Sequence, residues 1–383
     1  MEFPYIKVLS FELEFLDEID AFTSLDFRRS LQGTGDFTFT VCGFPDSLRK
    51  NNIIMLGEDT HRAGIIRKIT PVSDKHGIIT EVSGQTLNGF TSQRTVLPLD
   101  NNAGYFSVPP QSEHISVHAE KIIKSFLSYN LGADAALNRQ LFSSDGRLIF
   151  RTAPDRQRGY PTEWGCRYTQ LDDELQAICE YCDCGYEIYI DLENKLYTAE
   201  YIPGTDRSVN NNAGNSWVIL SKEFESVDSI EYTEDYTAYK NIAYCGGKGD
   251  GDDRAVISVT NDTEQASGID RFETFIDCGD LEIMETTTAM SLSETGKHKL
   301  EEYNFVKNLN AVVSQSGSFR YREQWDLGDL VTICDDDLKL MQDVRITEVL
   351  ESYEPGSSRI SVTLGKPPKR INRAIRNIKN TVR

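Results

Sequence analysis

Residues 65–69, Ile65-Ile66-Arg67-Lys68-Ile69, and residues 78–82, Ile78-Ile79-Thr80-Glu81-Val82, are short runs of apolar, mostly β-branched side chains interrupted by polar ones. Tyr5-Ile6-Lys7-Val8-Leu9 is a similar run upstream, and Phe37-Thr38-Phe39-Thr40-Val41 alternates strictly between apolar and polar side chains. We interpret the four runs together as a period of two. A period of two with many β-branched and aromatic residues is typical of half-buried antiparallel strands. The sequence therefore predicts a β domain that ends near residue 105, inside a polar, turn-rich stretch.

A second strand-rich stretch, Phe319 to Leu364, resembles the first. Three segments correspond in order: Asn52–Leu56 with Asp329–Ile333, Ile65–Thr70 with Val344–Val349, and Ile78–Gly84 with Arg359–Gly365. Such self-similarity predicts one unit that occurs twice. Two unrelated antiparallel hairpins are the alternative explanation.

The middle of the chain has helical spacing instead. One apolar helical face is predicted before Asn130 and Gly132; it consists of Ile115, Ala119, Ile122, Ile123, Phe126 and Leu127. A second helix is predicted between Thr169, whose hydroxyl would cap it with Asp172 three residues on, and Gly185. Its apolar face consists of Leu171, Leu175, Ile178, Cys179 and Cys182.

A β-hairpin follows the second helix, with strands at 186–191 and 195–201. From about residue 222 the chain returns to strands, with one more helix predicted around Ser291–Tyr303. The sequence thus predicts a mainly β protein in which two β regions enclose an inserted α+β region.

Composition and charge narrow the function. The chain has 383 residues with 60 acidic and 40 basic side chains, a formal net charge of −20. A surface this acidic repels a phosphate backbone, so we expect no specific nucleic-acid binding. The first residues lack the pattern of a secretory signal, and no apolar run approaches about 18 residues, so we expect neither export nor a membrane span. The eight cysteines are too sparse for a disulfide framework, and we expect reduced thiols.

Two patterns suggest ligand binding only superficially. Cys179, Cys182 and Cys184 are close enough to share a zinc ion, but no second pair completes four ligands, and packing on an apolar helix face is favoured. Gly246–Asp253 lacks the Ser or Thr and the helix of a phosphate loop, and its acidic residues do not have calcium-loop spacing. We interpret it as a solvated loop.

Catalytic patterns are also incomplete. His114 and His118 have the i, i+4 spacing of two metal ligands, but no Glu follows His114 as a zinc hydrolase requires. Acidic clusters occur at 172–174, 301–302 and 335–337, without evidence that two carboxyls face each other across a substrate bond. The sequence therefore predicts no catalytic, cofactor-binding or metal-binding residue, and no cofactor.

The C-terminal tail, residues 366–383, contains seven basic side chains and no acidic one. Ile371, Ile375, Ile378 and Val382 recur in it at intervals of four, three and four residues. This spacing predicts an amphipathic helix for oligomerisation or partner docking, too short to be stable alone. A frayed cationic tail is the alternative.

Several short motifs carry a resemblance to a known family. They are Phe27-Arg28-Arg29, Gly33-x-Gly35-Asp36-Phe37, Val82-Ser83-Gly84-Gln85-Thr86-Leu87, Gly204-Thr205-Asp206-Arg207-Ser208, Tyr239-Lys240-Asn241-Ile242-Ala243-Tyr244, Gly268-Ile269-Asp270-Arg271-Phe272-Glu273 and Leu327-Gly328-Asp329-Leu330-Val331. With these motifs in this order, the chain resembles the tail-tip hub proteins of long-tailed bacteriophages and prophages, which are related to the baseplate hub of contractile tails. The likeness covers about residues 5–368.

The resemblance implies a fold with two tube-like β-barrel hub domains related by internal duplication. The implied domains are 1–105, the first barrel; 106–221, the inserted α+β domain; 222–365, the second barrel with a small helical part; and 366–383, the basic tail. It also implies a homotrimeric ring that offers six similar units to a six-fold tail tube.

The implied function is structural, without enzymatic activity. The ring would close the tail tube, adapt it to a three-fold tip, and open to pass DNA or the tape-measure protein. The implied partners are the distal tail protein, the tail tube, and tip, spike or tape-measure proteins. The implied location is the virion tail, after synthesis in the host cytoplasm.

Two other functions compete with this interpretation. A tail-associated cell-wall hydrolase predicts two carboxylates in a cleft, one with a raised pKa. A host-binding adhesin predicts an exposed aromatic platform, for which Tyr160, Trp164 and Tyr168 are the candidates.

Overall fold

The computed structural model describes residues 3–98, 106–109, 116–249, 251–260, 266–278, 292–301, 303, 306–314 and 317–365. The first seven strands are β1 (Ile6–Leu9), β2 (Phe15–Ile19), β3 (Ser24–Ser30), β4 (Asp36–Cys42), β5 (Ile53–Leu56), β6 (Ala63–Asp74) and β7 (Gly77–Thr86). A 3-10 helix, Leu87–Gln93, follows β7. The four strands predicted from alternation are thus confirmed as β1, β4, β6 and β7.

The middle of the chain is α+β, as predicted. Its elements are β8 (Phe106–Val108), β9 (Val117–His118), α1 (Ala119–Leu131), β10 (Phe150–Thr152), β11 (Pro161–Thr162), β12 (Trp164–Cys166), α2 (Leu171–Cys182), β13 (Gly185–Asp191) and β14 (Leu196–Ile202). β13 and β14 form the predicted hairpin, and β10 pairs in parallel with β14. The apolar faces predicted for α1 and α2 are buried in the largest core, together with Ile53 and Phe90 from the first β region, except for Ile115, which lies outside the described residues.

The predicted ends of α2 were wrong by a few residues. Gln170, not Thr169, is the N-cap residue, and no side-chain hydrogen bond caps it. Asp172, Asp173 and Glu174 lie in the first turn instead, where negative charge stabilises the N-terminus of a helix. The C-cap is Asp183, in the left-handed conformation with φ 49°, whereas Gly185 already belongs to β13.

The remaining elements are mostly strands. They are β15 (Ile219–Leu220), β16 (Val227–Asp235), β17 (Ile242–Gly246), β18 (Val256–Thr260), β19 (Glu273–Asp277), α3 (Leu292–Glu301), β20 (Val306–Val313), β21 (Leu330–Asp335), β22 (Leu340–Glu354) and β23 (Ser357–Leu364). α3 is the helix expected around 291–303. With 45% strand and 14% helix, the mainly β prediction is confirmed. None of the described helices is both long and apolar enough to cross a bilayer.

The described residues fall into two compact units. The first comprises those within Met1–Ile230 and Asn310–Pro367, and the second those within Glu231–Leu309. The second unit contains a three-stranded sheet in the order β18-β17-β19. Ala243, Cys245, Val259, Ile276, Cys278 and Leu300 form its core. The boundaries predicted at 105, 221 and 365 separate hub domains and not compact units, and they remain predictions.

Strands of both β regions share one sheet of thirteen strands. Its order is β16-β20-β23-β22-β3-β4-β7-β6-β5-β1-β2, with β21 pairing to β22 and β15 to β21. The junction is between β3 and β22, from Glu348 opposite Ser30 to Tyr353 opposite Leu25. This order is an open path, and no closed barrel is detected in the described residues. The 15-residue β22 continues beyond β21 and reaches β3, which joins the two β regions.

The two halves of this sheet have matching strand orders. The first reads β3-β4-β7-β6-β5-β1 and the second β16-β20-β23-β22-β21-β15. The register of β6 on β7 shifts between Ile66 and Lys68, and that of β22 on β23 between Ile346 and Glu348, so the two bulges are 280 residues apart. One strand differs, because β1 is antiparallel to β5 whereas β15 is parallel to β21.

Candidate functional site

A buried arginine links three distant parts of the first unit. Arg29 lies on β3, on the same face as Leu25 and Phe27, and is 5% exposed. Its Nη1 donates to Tyr321 Oη at 2.9 Å and to Asp326 Oδ1 at 2.8 Å, and its Nη2 donates to Glu187 Oε1 at 2.9 Å. These three partners come from the second β region and from β13. We call Arg29, His61, Glu187, Tyr321 and Asp326 the Arg29 cluster.

Glu187 is the carboxylate at the centre of this cluster. Its second oxygen lies 2.9 Å from His61 Nδ1, and the His61 ring stacks on Tyr189 with centroids 4.7 Å apart. Burial alone would raise the pKa of Glu187, but the charge of Arg29 and the hydrogen bond from His61 outweigh it and lower the pKa to about 2. The same hydrogen bond raises the pKa of His61. The cluster therefore stabilises charged groups in a buried position.

The space beside the cluster is too small for a substrate. The cavity lined by Arg29, His61, Thr86, Asn88 and Glu187 has a volume of about 10 Å³. That is room for about one water-sized probe. The arrangement can hold chain segments together, but it offers no cleft in which a bond could be attacked.

A second polar junction lies next to the cluster, around the buried Asp329. Its Oδ1 accepts the Thr205 N–H at 2.8 Å, and its Oδ2 accepts Arg207 Nε at 2.8 Å. Gly204, with φ 69°, lies against Gly328 so closely that a Cβ would collide with the Gly328 carbonyl. The motifs 204–208 and 327–331 therefore meet in the structure.

Other motifs meet in the same way. Within the first unit, the Gly35 N–H donates to Thr86 Oγ1 at 3.0 Å, and the Thr86 N–H donates to Gly35 O at 3.1 Å. Within the second unit, Asn241 Nδ2 donates to Asp270 O at 2.8 Å, and the Phe272 N–H donates to Asn241 Oδ1 at 2.9 Å. Pairs of sequence motifs thus contact each other in the structure, and their hydrogen bonds stabilise the fold.

The match to a family model covers almost the whole chain. The model of Siphovirus ReqiPepy6 Gp37-like proteins matches residues 5–366. The chain belongs to this family. The resemblance to phage tail proteins and the predicted location in the virion tail are confirmed. A search of curated proteins found no match.

Solved structures with the same fold support this assignment. The Gp37-like chain is similar to the 43 kDa tail protein of prophage MuSo2 from Shewanella oneidensis, with 14% identity, TM-score 0.54, and 95% of this chain and 97% of that chain covered. A tail protein from Neisseria meningitidis MC58 has 12% identity, TM-score 0.54 and the same coverage. Prophage tail protein gp18 from Listeria monocytogenes EGD-e has 13% identity and TM-score 0.50, with 99% of both chains covered. At these identities the likeness concerns the fold.

The pKa values in this Gp37-like protein bear on the hydrolase alternative. Each described Asp or Glu whose pKa is displaced from its ordinary value has a lowered pKa. For Glu120, burial works against this, but Arg158 and Lys124 lower the pKa to about 2. Glu120 is fully buried, with Lys124 Nζ at 2.6 Å and Arg158 Nη2 at 2.8 Å. Among these groups there is no carboxyl with the raised pKa that a general acid needs.

Of the three aromatic residues predicted for an adhesin surface, Tyr160 and Trp164 lie near each other in the structure, since both contact Tyr181. Trp164 and Tyr160 both contact Tyr181 of α2, with ring centroids 6.0 and 6.2 Å away. Trp164 also donates its indole N–H to Glu174 at 2.9 Å, as expected of a packed side chain. Tyr168 is 61% exposed. Tyr181 was not predicted, because its position on the polar side of α2 did not indicate a contact with other aromatic side chains.

The cysteine and histidine candidates have ordinary surroundings. Cys179 is fully buried, and burial raises its pKa and that of Cys182, to about 12 for Cys182, which disfavours the thiolate that zinc binds. The pKa of the buried Cys184 is lowered instead, by its hydrogen bond with Cys179. His118 Nδ1 lies 2.9 Å from Gly159 O. The described residues contain no group of three or more His, Cys, Asp or Glu that could hold a metal ion. His114 and the tail residues Ile371, Ile375, Ile378 and Val382 lie outside the described residues.

Proposed function

We propose that this phage tail structural protein is a hub that forms a homotrimeric ring at the end of the tail tube. The observation that supports the proposal is the match between the two halves of the sheet, in strand order and in the position of the bulge. An internal duplication would produce this match. Three copies would then present six similar units, which suits a six-fold tube joined to a three-fold tip.

In this proposal the two halves belong to the hub domains 1–105 and 222–365, apart from β15 (Ile219–Leu220), which lies at the end of the inserted segment 106–221. Each half would form a tube-like wall when the ring assembles. The unit within Glu231–Leu309 begins inside β16 and ends inside β20, the strands that correspond to β3 and β4 in the strand order. The distal tail protein, the tail tube and the tip, spike or tape-measure proteins are the proposed neighbours.

Light scattering of the full-length chain across a concentration series tests the trimer. We expect a mass near three times 43.3 kDa. A mass of 43.3 kDa at every concentration would contradict self-assembly of the isolated chain.

The tail tests a second part of the proposal. We expect a chain that ends at Gly365 to lose either the trimer or its attachment to the tip, because Ile371, Ile375, Ile378 and Val382 would form the docking stripe. The two readouts are the mass in solution and co-sedimentation with tail tips. A truncated chain that keeps both the trimer and the attachment would contradict this role.

A further inference from the structure

The second half of β6 has one unpaired edge. Up to Ile65 the strand pairs with β5 on one side and β7 on the other, but from Lys68 to Asp74 it pairs with β7 alone among the described strands. Lys68, Pro71, Val72, Ser73 and Asp74 are exposed. Val72 is 60% exposed, and its neighbours Ile78 and Ile79 on β7 are 41% and 52% exposed, so apolar side chains are grouped on the surface here.

The same edge is covered in the other half of the sheet. The counterpart of Lys68–Asp74 is Glu348–Glu354 of β22, and its outer edge pairs with β3. There Glu351 and Tyr353 are 0% and 1% exposed. The chain therefore contains, once, an example of what can cover this edge.

The matching partner strand is also unpaired on one side. β16 corresponds to β3 in the strand order, but it is the last strand of the sheet and pairs only with β20 among the described strands. Asp228 and Ser229 of β16 are exposed. Among the described strands, each chain thus has two unpaired edges that could pair between copies, one on the second half of β6 and one on β16, the counterpart of β3.

We infer that Lys68–Asp74 of one copy adds antiparallel to β16 of a second copy, as β22 adds to β3 within the chain. The inference rests on the proposed trimer and names its contact. The two edges differ, so the contact is head-to-tail, and such a contact closes into a ring when its rotation closes. The rotation that places the second half-sheet next to the first within one chain would, if it is applied again, place the first half-sheet of the next copy against β16.

The charge of Lys68 favours this pairing over the others. Within the chain, β3 carries Arg28 and Arg29 and the paired part of β22 carries Glu348 and Glu351, with Arg28 Nη1 3.4 Å from Glu348 Oε2. Between copies, β16 (VDSIEYTED) contributes four acidic and no basic residues, and the open edge of β6 contributes Lys68 at its start and Asp74 at its end. The attraction to β16 therefore comes from Lys68. Pairing β6 with β3, or β22 with β16, would bring like charges together.

The direction of the backbone groups identifies a residue for the test. The Gly43 N–H donates to Ile78 O at 2.7 Å, so the backbone groups of Ile78 face away from β6. Its partner Ser73 therefore points its own N–H and C=O to the open edge. Pro71 has no N–H, so the contact lacks one donor there. A proline on an edge also limits indiscriminate strand pairing.

The experiment compares Ser73→Pro with Glu18→Pro by light scattering of the full-length chain. Both prolines would remove an outward-facing N–H from an edge strand. Glu18 is the control, because its partner Lys7 lies in β1, whose odd-numbered residues face β5, so that Glu18 faces the outer edge of β2. Its N–H donates locally to Asp17 Oδ1 at 2.9 Å, a bond that the control proline also removes. We expect Ser73→Pro to raise the concentration for half-assembly at least about tenfold, and Glu18→Pro to leave it unchanged.

A second pair of variants leaves the backbone intact. Lys68→Glu reverses an exposed charge on the open edge, and Lys50→Glu reverses an exposed charge elsewhere. We expect only Lys68→Glu to weaken assembly, by about threefold or more at low salt. Native and variant chains that all form the same trimer would overturn the β6–β16 contact and leave the trimer standing. A native chain that remains monomeric would overturn both.

Discussion

An Arg29→Met variant is expected to lose about 3 kcal/mol of unfolding free energy at pH 7, because it leaves the largely buried carboxylate of Glu187 without its main partner. Arg29 is 5% exposed and makes hydrogen bonds to Tyr321, Asp326 and Glu187. Methionine has a similar length, so packing is largely kept. Denaturant unfolding followed by circular dichroism measures the difference.

Arg49→Met is the matched control. Arg49 is 49% exposed and its partner Asp46 fully exposed, at 2.7 Å. Such a surface pair contributes about 0–1 kcal/mol, so the control should unfold almost like the native chain. A loss below about 1 kcal/mol for Arg29→Met would show that the Arg29 cluster does not hold the fold.

The pH dependence of the same variant provides an internal check. Glu187 has a folded pKa lowered to about 2, below its unfolded value, so its stabilisation is present above about pH 4.5 and is lost as the pH falls towards 2. The variant lacks the part of this stabilisation that comes from Arg29 and keeps the part that comes from His61. The difference between native and Arg29→Met chains should therefore shrink between pH 5 and about pH 2. A difference that stays constant over this range would assign the loss to packing instead.

Gly204→Ala is expected to cost about 3 kcal/mol or more, from two sources. The φ of 69° is unfavourable for alanine, and the new Cβ would collide with the backbone carbonyl of Gly328. The backbone has to move, and this would disturb the Asp329 contacts with Thr205 and Arg207. Thermal unfolding measures the effect.

Gly214→Ala separates the two sources. Gly214 has φ 75°, and a Cβ added at this position would have no neighbouring atom within 4 Å, so alanine there meets only the backbone preference, about 1 kcal/mol. The gap between the two variants is the cost of the close approach of the two motifs. Equal effects would mean that the junction between 204–208 and 327–331 adds nothing.

Local features were predictable from the sequence. The short β-branched runs at residues 65–69 and 78–82 predicted β6 and β7, because such side chains favour strands. The apolar spacing of Ile122, Phe126 and Leu175 likewise predicted α1 and α2. The cap of α2 was predicted wrongly, since Thr169 and Gln170 differ by one residue and local sequence does not decide which of them enters the helix.

Long-range features were only partly predictable. The pairing of β22 with β3 joins residues more than 300 positions apart, and no periodic pattern records it. The similarity between the β6–β7 and β22–β23 hairpins was visible in the sequence. Their shared bulge became evident only from the strand register in the structure. One signal of the Arg29 cluster was available, because Arg29 shares the inward face of β3 with Leu25 and Phe27, and an arginine there requires buried partners.

The most direct test of the hub proposal is the rotational symmetry of the assembled ring, seen in electron-microscopy class averages of the purified full-length chain. The two matching half-sheets in each of three copies predict an end-on view with six similar lobes around a central opening. An end-on view with only three dissimilar lobes, or an assembly without a ring, would contradict the proposal.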